Sequence, residues 1–196
     1  MKISLDNLDQ QVTDSEIWCQ FKSGDEKALS ELMSRYFRSL LHYGTKFTRK
    51  HSLIEDVIQD LFLELLERRN FIGNPPSVKN YLFKALRNNL IRAINDDSLS
   101  FSLIEKDDLL VEIDNIEEIL VKADESEELH SKINHFFTLL SKRQKEALFL
   151  KYYENLSNDE IAQIMGINKQ SVSNLLQQSI TILRNNWVLL LIISLL

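Results

Sequence analysis

Five polar side chains near the end of the chain have types and spacing that suit hydrogen bonding to the edges of DNA bases. Asn and Gln can each bond an adenine edge through two hydrogen bonds, and Lys can reach guanine or a phosphate. These side chains fall in the second half of the stretch LSNDEIAQIMGINKQSVSNLL, residues 156–176, and just after it. The residues predicted to contact bases are Lys169, Gln170, Ser173, Asn174 and Gln177.

The same stretch predicts the two helices that would position those side chains. Ser157 and Glu160 have the spacing of a capping box, which starts a helix. Gly166 suits the left-handed end of that helix, and Asn168 suits the start of the next. A helix-turn-helix places its second helix in the major groove. A helical hairpin that binds no DNA also fits the bare pattern. The second predicted helix carries one cation, Lys169, before Arg184. Because one cation neutralises few phosphates, we expect this domain alone to bind DNA weakly.

A second set of polar residues forms an acidic face on a predicted helix within SLIEDVIQDLFLELLERR. Asp56, Asp60 and Glu64 recur every four residues and therefore lie on one side of that helix. Such a face could pair with a basic surface of another protein. The alternative is a helix face that simply faces water.

A third set combines cations, amides and rings within VKNYLFKALRNNLIRAI, residues 78–94. Lys84, Arg87 and Arg92 could track a phosphate backbone, while Tyr81 could stack on a base. Stacking of this kind contributes about 1–3 kcal/mol per base in proteins that bind single strands. The alternative is that the rings pack in the core, which is the stronger prediction for Phe83.

No residue set in the chain suggests catalysis, and we expect neither an enzyme nor a cofactor. The four histidines have no obvious metal-binding partners in the sequence, and no Gly-rich phosphate loop is present. The single cysteine, Cys19, excludes a disulfide framework and a four-cysteine zinc site. The first residues lack the apolar core of a signal peptide, so we expect a cytoplasmic protein.

Composition and charge predict an all-α protein of two helical domains joined by an acidic linker, the second domain containing the helix-turn-helix. Only four Gly and two Pro occur among 196 residues, too few for many strands and turns. Residues 98–128 carry 11 acidic and 2 basic side chains, whereas residues 129–196 carry 4 acidic and 7 basic ones. The predicted segments are a first domain at 16–97, a linker at 98–128, a second domain at 129–186 and a hydrophobic tail at 187–196.

The order of these features resembles a bacterial RNA polymerase sigma factor, and most closely the extracytoplasmic-function class. DVIQDLFLELLE, residues 56–67, resembles the family's polymerase-binding helix, and residues 78–94 resemble its −10 promoter helix. The helix-turn-helix resembles the −35 recognition element. The resemblance implies a four-helix first domain and covers roughly residues 20–186. Tyr81 stands where the family often has Trp, and Gln178 where Arg is usual.

The resemblance also implies roles for particular residues. The polymerase-binding residues would be Asp56, Gln59, Asp60, Phe62, Leu63 and Glu64. The −10 residues would be Asn80, Tyr81, Lys84, Arg87, Asn88 and Arg92. The five predicted base contacts near the end of the chain would serve the −35 element.

The sequence thus predicts a transcription initiation factor that binds core RNA polymerase and directs it to promoters. Core polymerase and promoter DNA are the expected partners, an anti-sigma factor is left open, and no small-molecule substrate is expected. The alternatives are a stand-alone helix-turn-helix regulator and a helical adaptor that binds only protein. For the tail WVLLLIISLL, three hypotheses remain: packing on an apolar groove of the chain, binding an inhibitory partner, and lying on a membrane surface. Ten residues are too few to span a bilayer, which needs about 20.

Overall fold

The computed structural model describes residues 12–100 and 138–193, and all regular structure within these two ranges is helical. The predicted all-α fold is therefore confirmed. The predicted linker from residue 101 onward lies outside the described residues, as does the start of the predicted second domain as far as residue 137.

The first range forms four helices: α1 (Asp14–Ser23), α2 (Glu26–Gly44), α3 (His51–Glu67) and α4 (Val78–Ser100). Thr13 caps the start of α1 and forms a capping box with Glu16, and Gly24 caps its end with a left-handed φ of 108°. Ser23 and Glu26 have the spacing of a capping box, which predicts a helix start at Ser23, and this prediction is wrong. Ser23 ends α1 instead, and Asp25 starts α2 by accepting a hydrogen bond from the Lys27 amide.

The core of this four-helix unit follows the three- and four-residue spacing of the apolar side chains. Leu32 and Leu40 of α2, Ile54 and Ile58 of α3 and the ring of Trp18 are at most 1% exposed. Helix α2 approaches α3 closely at Gly44, where even a single added carbon would lie 2.2 Å from Cγ2 of Ile54. This close approach explains why the residue at the end of α2 carries no side chain.

The second range contains α5 (Lys142–Leu148), a π-helical turn (Phe149–Tyr153), α6 (Asn158–Met165) and α7 (Lys169–Ile193). Ser157 and Glu160 form the predicted capping box at the start of α6. Gly166 ends α6 with a φ of 65°, and the Asn168 side chain accepts from the Ser171 amide at the start of α7. The predicted helix-turn-helix is therefore confirmed as α6, turn and α7.

The two helical units are not separate bodies, because α4 packs directly against α6. Buried apolar residues form one cluster that extends from α1 through to α7. Helix α4 also continues past the predicted domain boundary at residue 97 and ends at Ser100. Helix α7 likewise continues past residue 186 into the predicted tail, as far as Ile193.

Candidate nucleic-acid interface

Helix α4 has three faces with different surroundings, and its predicted DNA-binding residues are divided between two of them. Leu82, Leu86 and Leu90 are 0% exposed and anchor the first face in the core of the four-helix unit. Phe83 is also fully buried, as predicted. Because these anchors recur every four residues, the polar residues between them are held in a fixed orientation.

The second face of α4 is open to solvent. Lys84, Asn88 and Arg92 are exposed and follow one another at four-residue intervals, so they form a continuous polar stripe along the helix. Two cations with an amide between them could contact successive phosphates of a DNA strand. We call these three residues the open stripe.

The third face of α4 lies against the second helical unit, and Arg87 is its central contact. Its Nε lies 2.7 Å from Oε1 of Glu146 in α5, and its Nη2 lies 3.4 Å from Oε2. The two side chains are only 13% and 6% exposed. The Tyr43 hydroxyl of α2 donates to the same carboxylate at 2.7 Å. Burial and the nearby Glu146 carboxylate raise the pKa of Tyr43 well above its usual value, so it remains a neutral donor.

Two further polar contacts extend this interface along α4. The Lys79 ammonium lies 2.7 Å from Oε2 of Glu154, whose side chain is 4% exposed, and it also donates to the Glu154 carbonyl at 2.9 Å. The Asn80 amide donates to Glu160 at 3.2 Å. We call Arg87–Glu146, Lys79–Glu154 and Asn80–Glu160 the three interdomain contacts.

Aromatic rings fill the space beside these polar contacts. His42 of α2 meets Phe149 and Tyr153 of the π-helical turn edge to face, at centroid distances of 4.9 and 4.5 Å. The Lys46 ammonium lies 5.0 Å from the centre of the Phe149 ring. Burial, with a smaller contribution from Lys145, lowers the pKa of Lys46 to about 8. The π-helical turn therefore presents its rings to the first helical unit.

Tyr81 lies between the core and solvent. Its ring meets Trp18 at 5.4 Å, edge to face, and the Trp18 indole is itself held by a hydrogen bond of 3.1 Å to the Gly73 carbonyl. Burial is the main cause that raises the pKa of Tyr81. The ring is thus braced on one side while remaining partly accessible, an arrangement that a stacking platform needs.

The acidic face of α3 is exposed as its spacing predicts. The exposed side chains are Asp56, Gln59, Asp60, Leu63 and Glu64. Glu64 forms an i,i+4 ion pair with Arg68 at 2.7 Å. For Phe62 the sequence left core and contact both open; it is only 4% exposed and packs inside the core. It can therefore hold α3 in position but does not present its ring to a partner.

The predicted base-contacting residues of α7 lie at or near the surface. Lys169, Gln170, Asn174 and Gln177 are exposed, and Ser173 is half-buried. Lys169 pairs with Asp159 of α6 at 2.7 Å, and Gln170 donates to Asn174 at 3.0 Å. The Asn158 amide donates to the Ser173 hydroxyl at 3.1 Å. Polar contacts thus already orient four of these five side chains.

Sequence reasoning named Arg87 and Asn80 only as DNA contacts. The interdomain residues it missed are Tyr43, Lys79, Glu146, Glu154 and Glu160. Glu146 and Glu154 interrupt the apolar face of α5 and the π-helical turn. A carboxylate at such a buried position needs a cation or donor from elsewhere in the fold. These two glutamates were therefore the signal in the sequence that could have indicated the interdomain contacts.

Two further properties concern the described residues as a whole. Nowhere in 12–100 or 138–193 do three or more His, Cys, Asp or Glu side chains come together in a way that could hold a metal ion. Among the helices of the same two ranges, none has both the length and the apolar character needed to cross a bilayer.

Comparison with known proteins gives a consistent result for both helical units. The family model for Sigma-70 region 2 matches residues 32–99, and the model for Sigma-70, region 4 matches residues 132–183. RNA polymerase sigma factor SigV of Bacillus subtilis (strain 168) is 23% identical over 138 residues, which cover 66% of this chain and 72% of that protein. Bacteriocin UviA of Clostridium perfringens is 24% identical over 181 residues, covering 87% of this chain and 95% of that protein.

Two solved structures share the fold. One is CnrH in complex with the cytosolic domain of CnrY, with a TM-score of 0.59 and 16% identity, covering 88% of this chain and 95% of that one. The other is the sigma factor RpoE in complex with the anti-sigma factor NepR from Bartonella quintana, with a TM-score of 0.59 and 17% identity. That match covers 82% of this chain and 97% of the other.

Proposed function

Because the chain belongs to the sigma-70 family of RNA polymerase sigma factors, in the extracytoplasmic-function class, we propose that it binds core RNA polymerase in the cytoplasm and directs it to promoters. The observation that carries this proposal is the order of the two matches, region 2 over α2–α4 and region 4 over α5–α7. We assign no catalytic step to the chain, and core polymerase performs the chemistry.

The exposed acidic face of α3 is the proposed polymerase-binding surface. Its residues are Asp56, Gln59, Asp60, Leu63 and Glu64. Leu63 is 57% exposed and supplies an apolar contact among the carboxylates. A basic surface on the polymerase would complement this face, and the exposed apolar side chain would be covered on binding.

The proposed −10 surface of α4 consists of the open stripe together with Asn80, Tyr81 and Arg87. Cations on the helix would neutralise phosphates, and the braced Tyr81 ring would stack on an unpaired base. The proposed −35 contacts come from Lys169, Gln170, Ser173, Asn174 and Gln177 at the start of α7. Bidentate hydrogen bonds from Asn or Gln to adenine discriminate between bases by about 1–3 kcal/mol each.

An anti-sigma factor is a further proposed partner. Both solved structures with this fold contain a second protein, and one of these proteins is named as an anti-sigma factor. The exposed faces of α3 and α7 are where such a protein could compete with polymerase or DNA. Binding there would leave the buried core of the chain unchanged.

Charge reversal on α3 tests the polymerase-binding surface. Asp60→Lys should abolish co-elution with core polymerase on a sizing column, because it places a cation opposite a basic surface. Glu26→Lys is the matched control, since Glu26 is exposed on α2 and lies outside this face. Equal loss of co-elution in the two variants would refute the assignment of this face.

A further inference from the structure

We propose that Trp18 of α1, which lies outside the proposed −10 surface, is a positioning residue for that surface. Its indole contacts the Tyr81 ring of α4 and donates to the Gly73 carbonyl of the α3–α4 loop, residues 68–77. It thereby fixes the ring and the loop relative to each other. The contacts are properties of the fold, whereas their effect on an unpaired base rests on the function proposed above.

Trp18 itself has little freedom to move. It is 1% exposed, and its ring also meets Phe21 of α1 edge to face at 5.7 Å. The start of α1 is tied to α2 through Asp14, whose carboxylate accepts hydrogen bonds from Arg35, at 2.6 Å, and from the Tyr36 hydroxyl. Trp18 is therefore a buried group on a helix that is fixed to a second helix, so it can support its neighbours without moving with them.

The stretch that enters α4 depends on Trp18 for its position. The first half of the α3–α4 loop is bonded to the end of α3. Beyond it, the Trp18 bond is the only hydrogen bond that joins residues 73–76 to the rest of the described chain. Pro75 and Pro76 have no backbone N–H to donate, and their rings restrict the backbone around them. Because the stretch is stiff, holding it at Gly73 also determines how it enters α4.

The geometry between the two rings suits a stacking platform. Trp18 and Tyr81 meet edge to face, with centroids 5.4 Å apart and ring planes at 66°. Such a contact supports the Tyr81 ring and leaves at least one of its faces uncovered by Trp18. A ring that is held in place before binding loses less freedom when a base stacks on it. Trp18 therefore increases the affinity for an unpaired base without contacting that base.

A buried tryptophan can also serve the core alone. Trp18 would then contribute only to the stability of the four-helix unit, and its replacement would weaken DNA binding whether or not Tyr81 is present. A positioning role has a narrower consequence, because its effect on DNA binding passes through Tyr81. The two roles therefore differ in how a change at Trp18 combines with a change at Tyr81.

Hydrogen exchange of the free, full-length chain tests the contacts. Trp18→Phe keeps a ring in the core and removes the indole donor, so it should speed exchange of the backbone amides of residues 73–81 by about fivefold. Exchange in α2 should stay unchanged. Ile17→Val is the matched control, since Ile17 is 2% exposed on the same helix and has no donor for the loop. Unchanged exchange at 73–81 in Trp18→Phe would overturn the proposal.

A second variant keeps the shape of the side chain. Replacing the Trp18 indole with a benzothiophene ring puts sulfur in place of the N–H group and removes the bond to Gly73 with little change of volume. Exchange at residues 73–81 should rise as in Trp18→Phe, with the helix content unchanged in circular dichroism. Exchange that stays at the level of the parent chain would overturn the role of this hydrogen bond.

Binding of the polymerase complex to a fork-junction DNA tests the effect on an unpaired base. This DNA is double-stranded upstream and single-stranded across the −10 element, with a sequence taken from a template that the complex transcribes from a random pool. Tyr81→Leu should weaken binding about tenfold, the scale of one stacked base. Trp18→Phe should weaken it about threefold in the parent chain. In the Tyr81→Leu background it should cause no further loss, because the platform is already absent.

The combination of the two changes decides between the roles of Trp18. Losses that multiply in the double variant would overturn the positioning role, since Trp18 would then act independently of Tyr81. Ile17→Val should leave fork-junction binding unchanged in both backgrounds. Co-elution of every variant with core polymerase should equal that of the parent chain.

The outcome for Trp18 can be separated from the outcome for the proposed function. Failure of the parent chain to co-elute with core polymerase would count against the function, while hydrogen exchange on the free chain would still decide whether Trp18 holds residues 73–81. Conversely, co-elution with unchanged exchange in Trp18→Phe would support the function and overturn the positioning role.

Discussion

Replacing Arg87 with Ala should cost far more stability than replacing Lys84 with Ala, although both cations lie on the same helix. Arg87 is 13% exposed and is the cationic partner of Glu146, which is 6% exposed. Removing one partner of a buried pair costs about 3–5 kcal/mol, because the other charge stays buried. Tyr43 still donates to Glu146, so we expect the lower end, about 3 kcal/mol. Lys84 is exposed, and its loss should change the unfolding free energy by less than about 0.5 kcal/mol.

Urea unfolding followed by circular dichroism measures both changes. A double-mutant cycle isolates the cause, since Glu146→Gln removes the stranded charge and should return part of the stability lost in Arg87→Ala. Permanganate reactivity of unpaired thymines at a promoter reports DNA opening, which both Arg87→Ala and Lys84→Ala should impair while co-elution with polymerase is retained. Equal stability of the two single variants, or strictly additive losses in the cycle, would refute the reasoning.

Three further changes have expected outcomes. Gly44→Ala should lower the unfolding free energy by about 1–3 kcal/mol, because its new carbon would lie 2.2 Å from Ile54; unchanged urea unfolding would contradict this. The pKa of Lys46 is about 8 in the folded chain against an ordinary 10.5, so the unfolded chain binds more protons than the folded chain between these two pH values. Stability should therefore rise as the pH increases from 8 to about 9.5, and Lys46→Met should flatten the rise in thermal unfolding. Asn174→Ala should change the −35 preference in a binding selection with the polymerase complex, and an unchanged motif would count against its role.

Local patterns were sufficient to predict α3 and the helix-turn-helix. The capping box at Ser157, the left-handed Gly166 and the cap at Asn168 depend on neighbours within a few residues, and all three are confirmed. The capping box predicted at Ser23 is wrong because of residues that are equally close in the sequence. Asp25 stands two residues later, and Gly24 ends the preceding helix, so the better cap displaced the predicted one.

The contacts between the two helical units could not be predicted from such patterns. Arg87 and Glu146 are 59 residues apart, and Tyr43 and Glu146 are 103 apart. A sequence pattern marks α4 as basic but does not tell which cations face solvent. In the fold, Lys84 and Arg92 are exposed while Arg87 is covered. The prediction treated the cations as one set, whereas packing divides them into two.

Aromatic side chains, like the cations, are divided by packing into buried and partly exposed ones. Phe83 was correctly predicted to be buried, whereas for Phe62 the sequence left core and contact both open and the fold buries it. Tyr81 remained undecided because its exposure depends on Trp18, which lies on a helix that the sequence did not predict separately. Trp18 can support the Tyr81 ring only when α1 is packed against α4.

Transcription from a pool of random promoter sequences is the most direct test of the central claim. The full-length chain is mixed with core RNA polymerase, and the transcribed templates are sequenced against those transcribed by core polymerase alone. The account predicts that the selected templates share two short elements at a fixed spacing. Templates indistinguishable from those of core polymerase alone would contradict it.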